Sequence, residues 1–465
     1  MKKLLLVPVL VAALLCLLAA PALASPKTFY VSATRGGGDN TTAIQAAFNH
    51  AIAAGPGSVV QLGPGHFYTD NMVLTGFDGY FRGAGEGKTI IDTVRGWDPN
   101  AAPISALPGA NGCPMLFTFS GGDVRASDMS FDITSSAPAA PWNTDDEADL
   151  LAAFFLTDNA SSSFDHISFT SACFPALNVG WGGYVMDTAV FFGLAEIGGS
   201  GGHHSVTNCS FTGGYGMRVE GLTNGSLVVG GAPREGNVFD TYAACVLSVD
   251  SSNSQIVISY NRMSNSYGSD VQIGQGWVFL PALPAPHYLV ADNKMLATGT
   301  SGGLWVEDDS SSYNVPNRLS ATIVGNDIHL DNGGNDAGLD GLYASGVRFL
   351  GNRVWGTGFA GIDVGAIESV FGGPSDPAFG WQIVGNDFSN LTVVNSDLSC
   401  APEVWLGPDA TRCLVVGGLR PTTVLDQGTD NTLINATPVT DPPAAAAMPM
   451  NAMKQLKHLK GMTLP

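Results

Sequence analysis

GGGDNTTAIQAAFNHAIAAGPGSVVQLGPGHFYTDNMVLTGFDGYFRGAGEGKTIID, residues 36 to 92, is the stretch whose reading decides the architecture. Within it Ile44, Ala47, Phe48, Ala51 and Ile52 recur at the spacing of a one-faced helix over Thr41 to Ala54, with Asp39 and Asn40 ahead and Gly55 to stop it. An apolar strand follows at Val59 to Leu62, Gly63-Pro64-Gly65 turns the chain, and short strands recur at His66 to Tyr68, Met72 to Leu74 and Thr89 to Asp92. One helix followed by many short strands predicts a solenoid whose open end the helix covers, because stacked strands otherwise leave an unpaired edge. The expected fold is all-β, a single-stranded right-handed parallel β-helix with a short N-terminal capping helix.

Outward from this stretch a phrase of Asn, one variable residue and an apolar residue recurs. It appears as Asn237-Val238-Phe239, Asn261-Arg262-Met263, Asn293-Lys294-Met295, Asn326-Asp327-Ile328, Asn352-Arg353-Val354 and Asn386-Asp387-Phe388, at intervals of 24, 32, 33, 26 and 34 residues. Such a period is one coil plus loops of changing size. Asn tolerates the left-handed backbone, and stacked Asn side chains bond one another along an axis, so the phrase has a structural cause.

The helix carrying Ala43-Ile44-Gln45-Ala46-Ala47, the Val59-Val60-Gln61-Leu62 strand, the Pro64-Gly65 turn with an aromatic beyond it, and Gly83-x-Gly85-x-x-x-Thr89-Ile90-Ile91 together resemble the N-terminal module of the pectate-lyase-like superfamily. One departure is that the paired aspartates usual before this helix are Asp39-Asn40 here. The resemblance implies the fold and leaves the chemistry open, since the superfamily mixes lyases, hydrolases, epimerases and proteins without known activity. Polygalacturonase-like hydrolases carry Asn-Thr-Asp, a separate Asp-Asp, Gly-His-Gly and Arg-Ile-Lys. Here Asn143-Thr144-Asp145 abuts Asp146, and the last two motifs do not occur. The Arg-x-Pro-x-x-Arg phrase of calcium-dependent pectate lyases is missing too; Arg218, Arg234, Arg348 and Arg353 are scattered.

Lys2 and Lys3, the apolar run Leu4 to Ala20 and Ala22-Leu23-Ala24 read as a secretory signal over residues 1–24, too short for a membrane span. The β-helix is expected over 25–440 and a Pro/Ala-rich tail over 441–465, in a secreted or periplasmic protein. The 59 glycines and only 13% charged residues suit short strands and tight turns. Acidic residues number 40 against 20 basic, and loss of Lys2 and Lys3 leaves 18 basic, a balance of −22. That field repels nucleic acid and acidic polymers unless divalent cations intervene, so neutral glycans are the preferred partners. Of six cysteines left after Cys16, Cys400 and Cys413 are the expected local disulfide.

The chemistry is expected where strand alternation turns polar residues outward. If Met217 and Val219 point in, Arg218 and Glu220 point out, and the same parity turns out Asp270 and Gln272, Trp305 and Glu307, Asp363, and Glu403 with Trp405. Stacked coils would line these residues along one groove, with carboxylates roughly 5 to 10 Å apart, the range used in glycoside cleavage. Glu307, Asp363, Asp270 and Glu220 are the expected catalytic set, and Trp305, Trp405, Arg218 and Gln272 the expected substrate contacts. The same positions would equally form a solvated acidic face that opposes edge association. No metal site or cofactor is expected, with calcium left open. Asp145-Asp146-Glu147 lacks an EF-hand pattern, and the adjacent His203 and His204 would face opposite ways.

These features predict a secreted protein that engages extracellular or cell-surface polysaccharide, with hydrolysis of a neutral or weakly charged glycan as the enzymatic reading. The rivals are a non-catalytic surface or adhesion protein and a calcium-assisted polyuronate lyase.

Overall fold

The helix that closes one end forms as its apolar spacing dictates. In a computed structural model, which describes residues 26–93, 115–133, 152–171, 188–192, 201–242, 244–275, 284–308, 319–334, 336–365, 378–394 and 400–440, it spans Thr41–Ala54. Asp39 starts it, its Oδ1 accepting from the Thr41 N–H at 2.8 Å. Gly55 ends it at φ 93, with its N–H on the Ala51 carbonyl. Ile44, Ala47, Phe48, Ala51 and Ala54 are buried, while Ile52 is only half-buried. Phe48 enters the first coils among Phe77, Phe81, Phe117 and Phe119, at ring separations of 4.9 to 6.3 Å.

Beyond the helix the chain winds as three parallel ladders of short strands joined into a 34-stranded sheet. The first ladder runs from Thr28–Val31 and Ser58–Leu62 to Leu414–Val416 and Thr432–Ile434. The third, which carries the candidate site, includes Tyr215–Glu220, Val246–Val249, the second halves of Arg262–Gln275 and Lys294–Asp308, Leu339–Leu342, Ile362–Val364, Val404–Leu406 and Thr422–Asp426. Inward side chains fill the bore in columns. Phe131, Phe169, Phe211 and Phe239 stack at 5.3, 4.9 and 4.5 Å between successive rings.

The recurring Asn phrase forms a continuous amide ladder. Asn237, Asn261, Asn293, Asn326 and Asn352 each donate from Nδ2 to Oδ1 of the next, ending on Asn386, at 2.9 to 3.2 Å. Each of those acceptor oxygens also takes the backbone N–H of the preceding Asn. Left-handed backbone is not the reason for these asparagines. The positive φ falls one residue earlier, on Tyr260, Asp292, Gly325, Gly351 and Gly385. Asn208 occupies that earlier position, and Cys209 takes the ladder place, donating its N–H to Asn237 Oδ1 at 2.9 Å.

The expected Cys400–Cys413 disulfide does not form. Cys413 is a buried thiol whose Sγ lies on the Ala378 and Thr411 carbonyls. Residues 1–24, the loops 97–114 and 135–150 with Asp145-Asp146-Glu147, and the tail 441–465 lie outside the described residues. Among the described residues no helix is long and apolar enough to cross a membrane.

Candidate functional site

Strand register lines up one outward residue from each coil of the third ladder. Arg218, Leu247, Gln272, Trp305, Asp340, Asp363, Trp405 and Leu425 follow one another, rung by rung. Their strand neighbours Val271, Ile273, Leu304, Val306, Ile362 and Val364 belong to the apolar core. Parity read from sequence therefore holds for Arg218, Gln272, Trp305, Asp363 and Trp405, which share this row. Glu220 and Glu307 sit two residues further along, with Val249 and Gly274 between them. Three rungs separate them by about 14 Å, so they do not act on one bond.

Asp270 is not in the row, which corrects the expectation. Its register places it beside Gly303, where an added Cβ would come within 2.6 Å of the Ile328 side chain in the bore. Gly216, Gly338 and Gly361 are crowded in the same way by Phe239, Val354 and Phe388. At this corner two successive residues face inward, because the backbone bends and strict alternation fails. Asp270 instead accepts a hydrogen bond from Cys245 Sγ at 3.4 Å, and burial pushes its carboxyl from 3.8 up to about 8. Glu403 lies at the same corner, where it pairs with Arg420 and accepts from the Thr423 N–H at 2.9 Å.

The two ends of the row differ in charge. Arg218 donates from Nε to Glu220 Oε1 at 2.5 Å and pairs through Nη2 with the same carboxylate, both residues nearly inaccessible. That ion pair neutralises itself. Further on, Asp340 and Asp363 occupy adjacent rungs directly in register, which sets them about 5 Å apart. Burial, then Asp336 hydrogen-bonded to it, then Asp363 hold the Asp340 carboxyl well above the usual carboxylate range. The protonated form of this carboxyl is therefore favoured more than that of an ordinary carboxylic acid. Asp336 is held by its own turn, its Oδ1 accepting from the Ala337 N–H at 2.9 Å and its carbonyl from the Phe359 N–H at 2.8 Å.

Tryptophans bracket the acid pair. Trp305 stands one rung before Asp340 and donates from Nε1 to Glu307 Oε2 at 3.2 Å. Trp405 stands one rung after Asp363, donating to Gln427 Oε1 at 3.1 Å, with its ring tilted against Phe359 at 5.9 Å. Exposure is 3% at Trp305 and Asp340, 2% at Asp363 and 9% at Trp405, so the row is enclosed and its carboxyls are largely shielded from water.

Sequence reasoning missed Asp336 and Asp340. Gly341 hid the strand, since the place of its side chain is filled by the buried Trp381 ring, whose Cη2 would lie 2.3 Å from an added Cβ. Counting from the Asn ladder would have found Asp340. From Asn261 to Gln272 is 11 residues, Asn293 to Trp305 12, Asn326 to Asp340 14 and Asn352 to Asp363 11.

His203 and His204 do face opposite ways. His203 Nδ1 meets Ser226 Oγ at 2.8 Å on the surface, whereas His204 meets Ser162 at 3.0 Å inside, and burial pulls it down to about 4. Among the described residues no group of three His, Cys, Asp or Glu side chains is arranged to hold a metal ion.

No family model matches this sequence, and no curated protein matches it. Among solved structures it is similar to the catalytic domain of Agl-KA, with a TM-score of 0.54 at 12% identity over 88% of this chain and 67% of that one. The mannuronan C-5 epimerase AlgE6 A-module of Azotobacter vinelandii gives 0.49 at 16% identity over 88% and 97%. DFA-IIIase of Arthrobacter chlorophenolicus A6 gives 0.49 at 13% over 90% and 99%. At such identities the likeness concerns the fold alone: the chain is a right-handed parallel β-helix.

Proposed function

We propose that the protein is exported under the signal at residues 1–24 and cleaves a neutral or weakly charged glycan by acid–base hydrolysis on the outward row. One observation carries this reading: Asp340, whose carboxyl is held above the usual range by burial and Asp336, lies beside Asp363 on adjacent rungs between Trp305 and Trp405. Asp340 gives its proton to the glycosidic oxygen as the bond to the anomeric carbon breaks. Asp363, at the shorter of the two carboxyl spacings used by glycosidases, attacks that carbon, and water then releases the sugar with Asp340 as base. Glu307, one rung and two residues from Asp340 or about 8 Å, is set for the longer spacing, in which it would activate water instead. The tryptophan rings supply apolar faces for sugars.

The test is a panel of neutral and acidic polysaccharides, with and without calcium. Asp340→Asn and Asp363→Asn are each expected to lose about 100-fold or more of the activity the wild type displays. Retention of anomeric configuration supports Asp363 as nucleophile, and inversion transfers that step to Glu307. Full activity in both variants would refute the site. Unsaturated, ultraviolet-absorbing product that needs calcium would favour a polyuronate lyase.

The enclosure of the row favours a second reading, a non-catalytic surface or adhesion protein in which these acids are buried structural groups. It predicts no turnover on any glycan and altered stability in the same variants.

A further inference from the structure

The ladders differ in what they turn to solvent. On the second, whose strands follow the Asn ladder, Arg262, Lys294, Asp327 and Arg353 succeed one another rung by rung, the charged exterior expected of a chain with 40 acidic residues. On the first, the strands from Ser226–Gly230 to Thr432–Ile434 contain no Asp or Glu, and Arg348 is the only Lys or Arg among them. Their inward residues Ile256, Val290, Ile323, Phe349, Ile383 and Val415 fill the bore. Outward, Val228, Val257 and Leu289 stand in register. One row over, Val324, Leu350, Val384, Val416 and Ile434 continue the aliphatic stripe to the last coil. Leu289 is 37% exposed and Ile434 51%, and the others are half-buried.

The stripe also lacks a polar fringe where it meets the Asn ladder. Earlier coils carry Tyr260 and Asp292 at that turn, whereas later ones carry Gly351 and Gly385, at φ 58 and 67, with open space where a side chain would stand. Strands covered on both faces read as continuous apolar runs, as Tyr288-Leu289-Val290 and Leu414-Val415-Val416 do here. From Val228 to Ile434 the stripe runs roughly 34 Å at about 4.8 Å per rung, and strands about 13 Å long give it on the order of 500 Å². Two such faces stacked together bury on the order of 1,000 Å², the area at which specific interfaces begin. Depletion of charge is the compositional mark of an interface core. Two copies of so acidic a chain repel one another across any surface that carries carboxylates, so a face without them is where they can meet. We propose that this face of the first ladder is the interface of a two-fold dimer, its two sheets stacked about 10 Å apart with Leu350 near the axis. A two-fold sets the same patch on both partners and closes the assembly at two.

Sedimentation velocity of the purified chain at micromolar concentrations tests this, comparing wild type with Leu350→Glu/Val384→Glu, with Leu289→Lys on the other half of the stripe, and with Lys294→Glu on the second ladder. Wild type and Lys294→Glu are expected at twice the chain mass and both stripe variants at the chain mass, with circular dichroism unchanged. Should the double variant fail to fold, Leu289→Lys decides. High salt should leave the wild-type dimer intact, because it screens the repulsion between acidic copies and not the apolar contact. A monomeric wild type, a dimer that survives either folded stripe variant, or one lost in Lys294→Glu or in high salt would overturn the proposal. So would a wild-type monomer that cosediments with cellulose and no longer does so as Leu350→Glu/Val384→Glu, which would give the face to a glycan.

Discussion

Two polar columns run along this solenoid at the same repeat, and they meet opposite fates. In the Asn ladder each amide is both donor and acceptor, so one residue per coil satisfies the next, from Asn237 to Asn386, in complete burial. In the outward row Asp340 and Asp363 are stacked just as closely, but carboxylates only accept. Burial and the neighbouring acids favour the protonated form of Asp340, and among the described residues its Oδ2 has no hydrogen-bond partner. Self-complementary groups make a scaffold; carboxyls at the same spacing do not satisfy one another, and it is there that the chemistry is proposed.

Exchanging the two chemistries breaks the comparison most strongly. Asn326→Asp places a carboxylate between Asn293 and Asn352, removing the Nδ2 bonds to Asn352 Oδ1 and the Val290 carbonyl, both 2.9 Å. A loss of about 3 to 5 kcal/mol in chemical denaturation is expected at neutral pH. The reverse exchange, Asp340→Asn, should gain about 1 to 2 kcal/mol, because an amide gives Asp336 and Asp363 a donor without needing a proton. A variant more stable and less active than wild type would be the signature of this row; a destabilised one would contradict the comparison.

The third effect sharpens it by titration and is the smallest over any single pH step. Asp270 is protonated in the fold up to about pH 8 and ionises near 3.8 when unfolded. Between those values the unfolded chain has lost a proton that the native one retains, so stability falls as pH rises, by up to about 1.4 kcal/mol per unit, and levels beyond. Asp270→Asn should flatten that part of the stability profile, read from denaturation midpoints at pH 5, 6 and 7.

Most of the architecture was legible because its causes are local. The apolar spacing in Thr41–Ala54 and the glycine stop each report one backbone requirement, while the Asn period shows in the sequence because one amide per coil bonds the next. Parity placed five of the outward residues in one row because the middle of each strand is straight. It failed for Asp270 at the corner, where bending turns two neighbours the same way, a property set by the coil cross-section rather than by either residue. Asp340 escaped because Gly341 is glycine to admit Trp381, 40 residues later, a long-range cause invisible to pattern. The Cys400–Cys413 expectation failed similarly: nearness along the chain did not bring the two sulfurs to one place.

The amide ladder also bears on how such a protein can be altered. By clasping one residue of every turn to its neighbours, it resets alignment each time the chain comes round, despite intervals that vary from 24 to 34 residues. An insertion between two clasps is absorbed before the next one, so segments can be lengthened, shortened or exchanged without disturbing which groups meet on the outer face. The protein is in that sense a ruler with interchangeable attachments, and new recognition elements can be grafted onto it wherever two clasps remain intact.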